Sequence, residues 1–373
     1  MDNAAKRFYA LTAGGAAIAA FLGASGAAHA TSYYVTGAGN DAWSGRSLTA
    51  SWRTLDSAVK HVRPGDVVNV GNGNFSNVKI TCSGKPGAWI YFKGIPGTRP
   101  IAPVGVHGFG ITVTQDPTTG APAQYDDISG FEISGLDAVS GVAAYDSHGI
   151  DVNGWCSHVS VHDNVIHDCG TSGITVDGCD YVSIVHNKVY GCCGVSPYNS
   201  SGISLINMVW ADGGAGFHNY IQNNTVYSNS DRDTTNLDDG LNPHGVATHT
   251  DGNAIAVDTS GGYHPGGSNG NGDSYDGAVW TPQTLVSGNN VWSNGGRAVC
   301  ITQNDSVTVT NNDVAYDLTD TSLSYYADQR EIAVLKSHDC HVYNNRVKGY
   351  TSEPYQTYHS NNVSADAPVH TTG

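Results

Sequence analysis

Carboxylate side chains crowd the middle of this sequence. Between residues 212 and 276 there are nine Asp and no Glu, and Arg232 is the only Lys or Arg. These Asp are residues 212, 231, 233, 238, 239, 251, 258, 273 and 276. Carboxylates at close range repel one another unless a cation or a shared proton compensates them. The segment therefore indicates cation binding or acid–base chemistry.

Two short motifs within this segment supply the candidate catalytic residues. One is Leu237-Asp238-Asp239-Gly240, and the other is Thr250-Asp251-Gly252-Asn253. Residues two apart on a strand share a face, so we expect Asp251 and Asn253 to point to the same side of a strand that Asp258 ends. A single Asp-Gly pair is more typical of a turn, so the argument depends on the cluster.

The cluster fits two chemistries. Carboxylate oxygens are the ligands that Ca²⁺ prefers, and the predicted calcium ligands are Asp231, Asp233, Asp238, Asp239 and Asp251. Alternatively, two carboxylates share the acid and base roles of glycoside hydrolysis, with Asp251 paired with Asp258 or Asp239.

Proton-accepting and substrate-binding residues complete the predicted site. His244 and His249 lie beside the acidic strand and are candidate bases. Arg297 is a candidate catalytic residue whose guanidinium can bind a carboxylate through two hydrogen bonds. The remaining predicted substrate contacts are Asn253, Tyr263, Tyr275 and Lys336, although a Lys in a strand pattern more often covers an outer surface.

The elements that must position these residues repeat along the chain. A Gly- or Ala-x-apolar string recurs, as in Gly149-Ile150-Asp151-Val152, and an Asn-rich turn followed by Val recurs with it. Successive turns are 24 residues apart from Val165 to Val189 and 23 apart from Val291 to Val314. One such coil cannot bury its apolar side alone, whereas stacked coils share a core. The repeat predicts an all-β parallel β-helix stabilised by ladders of Asn side chains.

Longer intervals between turns indicate insertions at one face of the stack. The two longest cover residues 230–250 and 259–283, within the acidic segment. Because insertions at one coil position emerge on one face, we expect them to form the walls of a cleft.

The ends of the chain have their own patterns. Residues 1–30 read as a signal peptide with a small-residue cleavage site, which predicts a secreted or periplasmic protein. Residues 33–35 and 67–70 are predicted strands, and 54–62 a capping helix with Thr54 as N-cap. The catalytic domain is assigned to residues 31–350, followed by a polar tail at 351–373.

Composition and cysteine spacing narrow the class of protein further. Gly is 47 of 373 residues, charged residues are 13 %, and the net charge of −16 argues against nucleic acid or a membrane surface as partner.

Two pairs of cysteines, Cys156 with Cys179 and Cys169 with Cys193, are 23 and 24 residues apart. Each pair is therefore expected on neighbouring coils, either stacked or disulfide-bonded.

These features together resemble a known family of enzymes. The motifs that carry the likeness are Tyr33-Tyr34-Val35, Gly39-Asn40-Asp41, Trp52-Arg53-Thr54-Leu55 and Pro64-Gly65-Asp66, followed by the Asn-Asn-x-Val coils. They resemble secreted right-handed parallel β-helix polysaccharide-degrading enzymes, nearest to family 9 pectate lyases. The resemblance implies a right-handed helix and calcium-assisted β-elimination on a uronic-acid polysaccharide. A solenoid of this size can stand as a monomer, which is the state we expect.

The sequence departs from that family at one point. The family uses a Lys as base, whereas nothing between Asn253 and Val257 is basic. A glycoside hydrolase with paired Asp is therefore kept as the alternative, a non-catalytic carbohydrate-binding solenoid as a second, and a C5-epimerase as a less favoured one.

Overall fold

Short parallel strands form almost all of the regular structure. The computed structural model describes residues 30–136, 146–196, 200–230, 252–258, 283–320, 330–349, 355–358, 360, 363–365 and 369–370. Within this part of the chain, strands from successive coils stack into three parallel sheets, here called A, B and C. The predicted right-handed parallel β-helix is confirmed.

Each coil contributes one strand to each sheet, in the chain order A, B, C over most of the stack. Sheet A contains β1 (Ser32–Val35), β2 (Val67–Val70), β5 (Ile90–Gly94), β8 (Gln124–Ser129), β11 (Ser157–His162), β14 (Asp180–Val185), β17 (Phe217–Gln222), β20 (Gln283–Ser287), β23 (Val307–Thr310), β26 (His341–Tyr343) and β29 (Ser364–Ala365). Sheet B contains β3 (Gly73–Asn74), β6 (Pro100–Pro103), β9 (Glu132–Ser134), β12 (Val165–His167), β15 (Lys188–Tyr190), β18 (Thr225–Tyr227), β21 (Asn290–Trp292), β24 (Asp313–Ala315), β27 (Arg346–Lys348) and β30 (Val369–His370). Sheet C contains β4 (Val78–Ile80), β7 (Phe109–Val113), β10 (His148–Val152), β13 (Ile174–Asp177), β16 (Ile203–Ile206), β19 (Ile255–Asp258), β22 (Val299–Thr302), β25 (Ile332–Leu335) and β28 (Tyr355–Tyr358).

The core consists of rows of branched aliphatic side chains that point inward. In sheet A, Ile128, Val161 and Ile184 occupy equivalent positions on adjacent strands, and all three are fully buried. Alternate side chains of a strand point to opposite faces, so each coil supplies its own share of this continuous interior. Burying each such side chain contributes roughly 1.5–3 kcal/mol.

An Asn ladder closes the turn between sheets A and B. Its members, on successive coils, are Asn164, Asn187, Asn224, Asn289, Asn312 and Asn345. Asn187 is typical: its backbone N–H donates to Asn224 Oδ1 at 2.9 Å, and its side-chain amide donates to the Val161 carbonyl at 2.8 Å. These bonds satisfy buried backbone groups at a turn that sheet hydrogen bonds cannot reach. The predicted Asn ladder is confirmed.

The N-terminal end of the stack carries the predicted cap. Helix α1 (Leu55–His61) follows a 3₁₀ turn (Leu48–Ala50), and the Thr54 side chain accepts a hydrogen bond from the Ser57 N–H at 3.2 Å. Leu55 and Ala58 are buried against the first coils. The helix thus covers part of the apolar interior that the first coils would otherwise expose.

The C-terminal segment differs from the polar tail expected for residues 351–373. β28, β29 and β30 pair in parallel with the preceding coil, so the described part of this segment extends the solenoid by another coil. Its Asn361-Asn362-Val363 string precedes the sheet A strand β29 rather than following it, and no Asn stands between β29 and β30. The segment therefore does not repeat the pattern by which the other coils are recognised in the sequence.

The cysteines stack as free thiols. Cys156 and Cys179 precede equivalent strands and contact each other, as expected. The Cys169 carbonyl accepts the Cys193 N–H at 3.0 Å, as expected of neighbouring coils, whereas the Cys169 thiol contacts that of Cys192, because the register of β12 with β15 places residue 192 beside it. Within the described ranges no helix is both long and apolar enough to cross a membrane.

Candidate functional site

Sheet C is the sheet whose strands are joined to the rest of the coil by long connections. The turn from sheet A to sheet B is typically two residues, as between β11 and β12. By contrast, residues 228–254 separate β18 from β19, and residues 259–282 separate β19 from β20. Both long insertions therefore flank one strand of sheet C. The outer face of this sheet is the candidate functional site.

Two rows of outward-facing residues form the floor of the site. The central row, in order along the axis, is Lys79, Thr112, Asp151, Thr175, Ser204, Ala256, Cys300, Ala333 and Gln356. The edge row, two residues further along each strand, includes Asp177, Ile206, Asp258, Thr302 and Leu335. Small side chains therefore occupy the central row from Ser204 to Ala333.

Arg297 reaches across this floor. It lies just before β22, its Nη1 is 4.0 Å from Cys300 Sγ, and its Nη2 is 3.5 Å from Gln356 Oε1. Since Cys300 and Gln356 flank Ala333 in the central row, the guanidinium spans the position of this small residue.

Within the part of the chain that the structure describes, the charge of Arg297 has no carboxylate partner. The residue is only 9 % exposed, and its Nε has no hydrogen-bond acceptor. Among the described residues its side-chain contacts are neutral groups, and no carboxylate lies within ion-pair distance. A buried cation is unfavourable unless an anion pairs with it. The geometry therefore suits an anionic ligand.

Asp258 belongs to the same patch. It ends β19 in the edge row, in register with Thr302 of the neighbouring strand. Thr302 Oγ1 is 3.3 Å from Cys300 Sγ, which in turn contacts the Arg297 guanidinium. Asp258 at the end of β19 and Arg297 just before β22 thus lie on neighbouring strands of the same face.

A His–Asp cluster lies toward the N-terminal end of the face. Asp146 Oδ1 is 3.3 Å from His148 Nε2, and Asp146 Oδ2 is 2.8 Å from His107 Nδ1. The Phe109 ring stacks on His148 with centroids 4.7 Å apart, while His148 Nδ1 has no hydrogen-bond partner. Burial lowers the pKa of His148, and the negative charge of Asp146 opposes this shift. The cluster therefore holds a neutral imidazole near pH 7.

A pair of carboxylates lies beside this cluster. Asp151 is in the central row, 6 % exposed, and accepts a hydrogen bond from Asn153. Asp177 follows on the next strand in the edge row, where Asn207 donates to it at 3.0 Å. Burial and the charge of Asp177 together raise the pKa of Asp151 to about 6, against the opposing effect of the hydrogen bond from Asn153. The carboxyl group of Asp151 can thus hold a proton at mildly acidic pH.

The sequence interpretation missed these residues. Asp151 lies inside a strand motif and looked like an ordinary outward residue of a coil. Asp146 precedes the same strand and His148 begins it, away from the acidic segment at residues 212–276. A His two residues after an Asp, directly before a recognised coil strand, is the signal that could have identified them.

Several predicted residues lie outside the described part of the chain. They are Asp231, Asp233, Asp238, Asp239, His244, His249, Asp251, Tyr263 and Tyr275, and their roles stay predictions. Asn253 is buried before the start of β19, where its Oδ1 accepts from the Arg297 N–H at 2.8 Å and its amide donates to Ser201. This amide is therefore engaged in coil-to-coil bonds. Lys336 follows β25 at a turn with φ of 50°.

The described residues do not by themselves form a cation site. Among them, no group of three His, Cys, Asp or Glu side chains is arranged to hold a metal ion. The five predicted calcium ligands all lie outside the described ranges. Calcium binding therefore stays a prediction about the inserted segments that flank β19.

Comparison with known proteins finds similar solved structures at low sequence identity. Pectate lyase Pel9A is 15% identical, with 90% of this chain and 78% of that chain covered and a TM-score of 0.45. A rhamnogalacturonan lyase is also 15% identical, with 90% and 87% covered and a TM-score of 0.47. The alginate lyase from Paenibacillus sp. str. FPU-7 is 16% identical, with 82% and 96% covered and a TM-score of 0.41.

No family model and no curated protein matches the chain. At these identities and TM-scores, the similar structures carry no argument about activity. The function must be argued from the site.

Proposed function

We propose that the chain is a polysaccharide lyase that cleaves a uronic-acid-containing polysaccharide by β-elimination on the outer face of sheet C. The observation that carries the proposal is the guanidinium of Arg297, which is buried and has no carboxylate partner in the described ranges. A planar guanidinium can bind a carboxylate through two parallel hydrogen bonds, and a uronic acid presents one such group on each sugar.

The chemistry then follows from neutralising that carboxylate. Pairing with Arg297 withdraws charge from the uronate and makes the proton on C5 more acidic. Asp258 accepts this proton, a double bond forms between C4 and C5, and the C4–O bond breaks with its electron pair passing to the glycosidic oxygen. A proton from water completes the released hydroxyl group. An electrostatic partner already in place before the reaction lowers the barrier because it needs no rearrangement.

The position that the base must occupy selects one of the candidate proton acceptors. The abstracted proton is on the carbon that bears the neutralised carboxylate, so base and guanidinium must contact the same sugar. Asp258 and Arg297 share one patch. His148 belongs to β10, four strands from β22, which at about 4.8 Å per strand is roughly 19 Å away. Asp258 is therefore the proposed base among the described residues.

Calcium and export are separate parts of the proposal. Ca²⁺ held by the inserted Asp residues would add positive charge beside the substrate carboxylate. Secretion or periplasmic location, through removal of residues 1–30, would bring a monomeric enzyme to an extracellular polymer.

The test follows two products at once. The chain without residues 1–30 is incubated with polygalacturonate, alginate and xylan, with and without a chelator, while ultraviolet absorbance and reducing ends are recorded. We expect absorbance from unsaturated ends on a polyuronate, and its loss in Arg297→Gln and Asp258→Asn. Arg346→Gln is the matched control, since Arg346 pairs with Asp313 on sheet B. Full activity of Arg297→Gln would overturn the proposal, whereas chelation tests only its calcium part.

A second candidate function has its own observation. Asp151, with its pKa raised to about 6, and Asp177 resemble the acid and base of a glycoside hydrolase, which needs one protonated and one ionised carboxyl group. Reducing ends without absorbance, abolished by Asp151→Asn but not by Asp258→Asn, would establish hydrolysis in place of elimination.

A further inference from the structure

A stack of aromatic rings runs along the outer face of sheet B, on a different side of the molecule from the candidate site. The sheet B ladder consists of His167, Tyr190, Tyr227 and Trp292, on strands paired in register. Successive ring centroids are 5.1, 5.0 and 4.6 Å apart, and the ring planes agree within 7°. The ring faces therefore point along the axis of the solenoid.

The ladder ends at Trp292 in a gap. The next residue in register is Ala315, and the one after it is Lys348. One face of the indole stacks on Tyr227, and the other looks over the methyl group of Ala315. Two strand spacings, about 9.6 Å, separate Trp292 from Lys348, so the gap has the thickness of one ring. We call this gap the Ala315 slot.

Polar groups surround the Ala315 slot. The Lys348 Nζ lies 5.1 Å from the ring centroid of Tyr316, the residue that follows Ala315, so its ammonium lies beside the slot. Arg346 pairs with Asp313 alongside, which leaves the Lys348 charge as the local cation without an ion pair among the described residues. An apolar ring face opposite a cationic donor matches a sugar, which has an apolar face and hydroxyl groups at its edge.

We propose that the Ala315 slot binds one pyranose ring of a glycan, stacked on Trp292, with its hydroxyl or carboxylate oxygens toward Lys348. The rings below hold Trp292 in place, so little side-chain freedom is lost on binding. The slot would attach the protein to its polymer without taking part in cleavage. The inference does not depend on the reaction performed at sheet C.

Affinity electrophoresis tests the proposal. The full mature chain is run through gels that contain polygalacturonate, alginate or xylan, and the dissociation constant is taken from the retardation. Ala315→Leu fills the slot but leaves the ladder intact, and Trp292→Ala removes its floor. Ser134→Leu is the matched control, since Ser134 adjoins His167 at the opposite end of the ladder.

We expect at least tenfold weaker binding for Ala315→Leu and Trp292→Ala, and no change for Ser134→Leu. Arg297→Gln should still be retarded, which separates this site from the proposed reaction. Unchanged binding in Ala315→Leu, or equal losses in Ala315→Leu and Ser134→Leu, would show that the ladder is structural only. Absence of retardation on all three polymers would also overturn the proposal.

Discussion

At the scale of single residues, the surroundings of the Arg297 side chain are unfavourable for the stability of the fold. It is nearly buried and contacts only neutral groups among the described residues. Desolvating a charge without pairing it destabilises a fold by several kcal/mol before relaxation and water penetration reduce the penalty. A residue retained under this penalty is expected to act on a ligand.

Replacing Arg297 should therefore change stability and activity in opposite directions. We expect Arg297→Gln to raise the free energy of unfolding by about 1 kcal/mol while β-elimination falls at least 100-fold. Arg297→Lys keeps the charge but loses the planar guanidinium, so its activity should lie between that of the unmodified protein and that of Arg297→Gln. Urea unfolding and initial rates measure both quantities. Loss of stability in Arg297→Gln would indicate a structural role instead.

Only part of the residue-scale picture follows from the sequence. Arg297 and Asp258 were candidates by residue type, and their closeness depends on a register that the spacing of the motifs does not fix. The raised pKa of Asp151 arises from burial of an outward-facing residue. A strand pattern assigns such a residue to solvent, so the sequence gives no sign of that burial.

At the scale of elements, the Asn ladder shows what the repeat specifies. Asn289 donates its backbone N–H to Asn312 Oδ1 at 2.9 Å and its side-chain amide to the Ile221 carbonyl at 2.9 Å, and it accepts from Asn224. Each Asn thus links its coil to the coils on both sides. Recurrence of Asn before Val predicts the ladder and hence the stacking.

Removing the side chain of one Asn in the ladder should lower the free energy of unfolding in proportion to the number of buried polar groups left without partners. Asn289→Ala leaves the Asn224 N–H and the Ile221 carbonyl without partners, and each such buried group costs about 1–3 kcal/mol. We expect a loss of about 2–4 kcal/mol in the free energy of unfolding. Asn290→Ala, one residue further on at an exposed position, should change it by less than about 0.5 kcal/mol. Equal effects of the two variants would contradict the ladder argument.

At the two ends of the solenoid, the repeat pattern alone no longer predicts the structure. The cap is predictable because Thr54 and the apolar face of α1 form a complete local signal. The last coil is not, because its Asn361-Asn362 pair precedes β29 and no Asn stands between β29 and β30, so the coil is recognised only by its pairing with the coil before. Likewise, the partner of Cys169 depends on a one-residue register.

At the scale of the whole molecule, several acids are buried in the protonated form. Burial raises the pKa of Asp317 to about 7 and of Glu331 to about 8, with the charge of Asp317 adding to the rise at Glu331. Burial also raises the pKa of Asp126 well above its usual range, and neither of its carboxylate oxygens has a hydrogen-bond partner. The interior of this acidic protein therefore holds carboxyl groups that must lose protons as the pH rises.

This arrangement sets the sign of the pH dependence of stability. Between the ordinary carboxyl pKa near 4 and the raised values, the native state binds more protons than the unfolded chain, so stability falls as pH rises through this window. His162 acts in the same direction: its hydrogen bond to Asp127 raises its pKa to about 9, so its contribution is complete below its ordinary pKa of 6.5 and is lost as pH rises through 9. We expect maximal stability near pH 5 and a continuous loss of several kcal/mol as the pH rises to 9.

The paired variant Asp317→Asn with Glu331→Gln identifies the groups responsible. Asp317 ends a second ladder of side chains, in which the Asn229 N–H donates to Asn294 Oδ1 at 3.0 Å and the Asn294 N–H donates to Asp317 Oδ1 at 2.9 Å. Asp317→Asn keeps the acceptor of this ladder, and neither substituted side chain can ionise. The free energy of unfolding, from urea titrations at pH 5, 7 and 9, should decline less steeply in this variant, with the largest gain at pH 9. Asp56→Asn, at an exposed position in the cap helix, should leave the slope unchanged. A slope identical to that of the unmodified chain would mean that ionisation of these two acids does not govern stability.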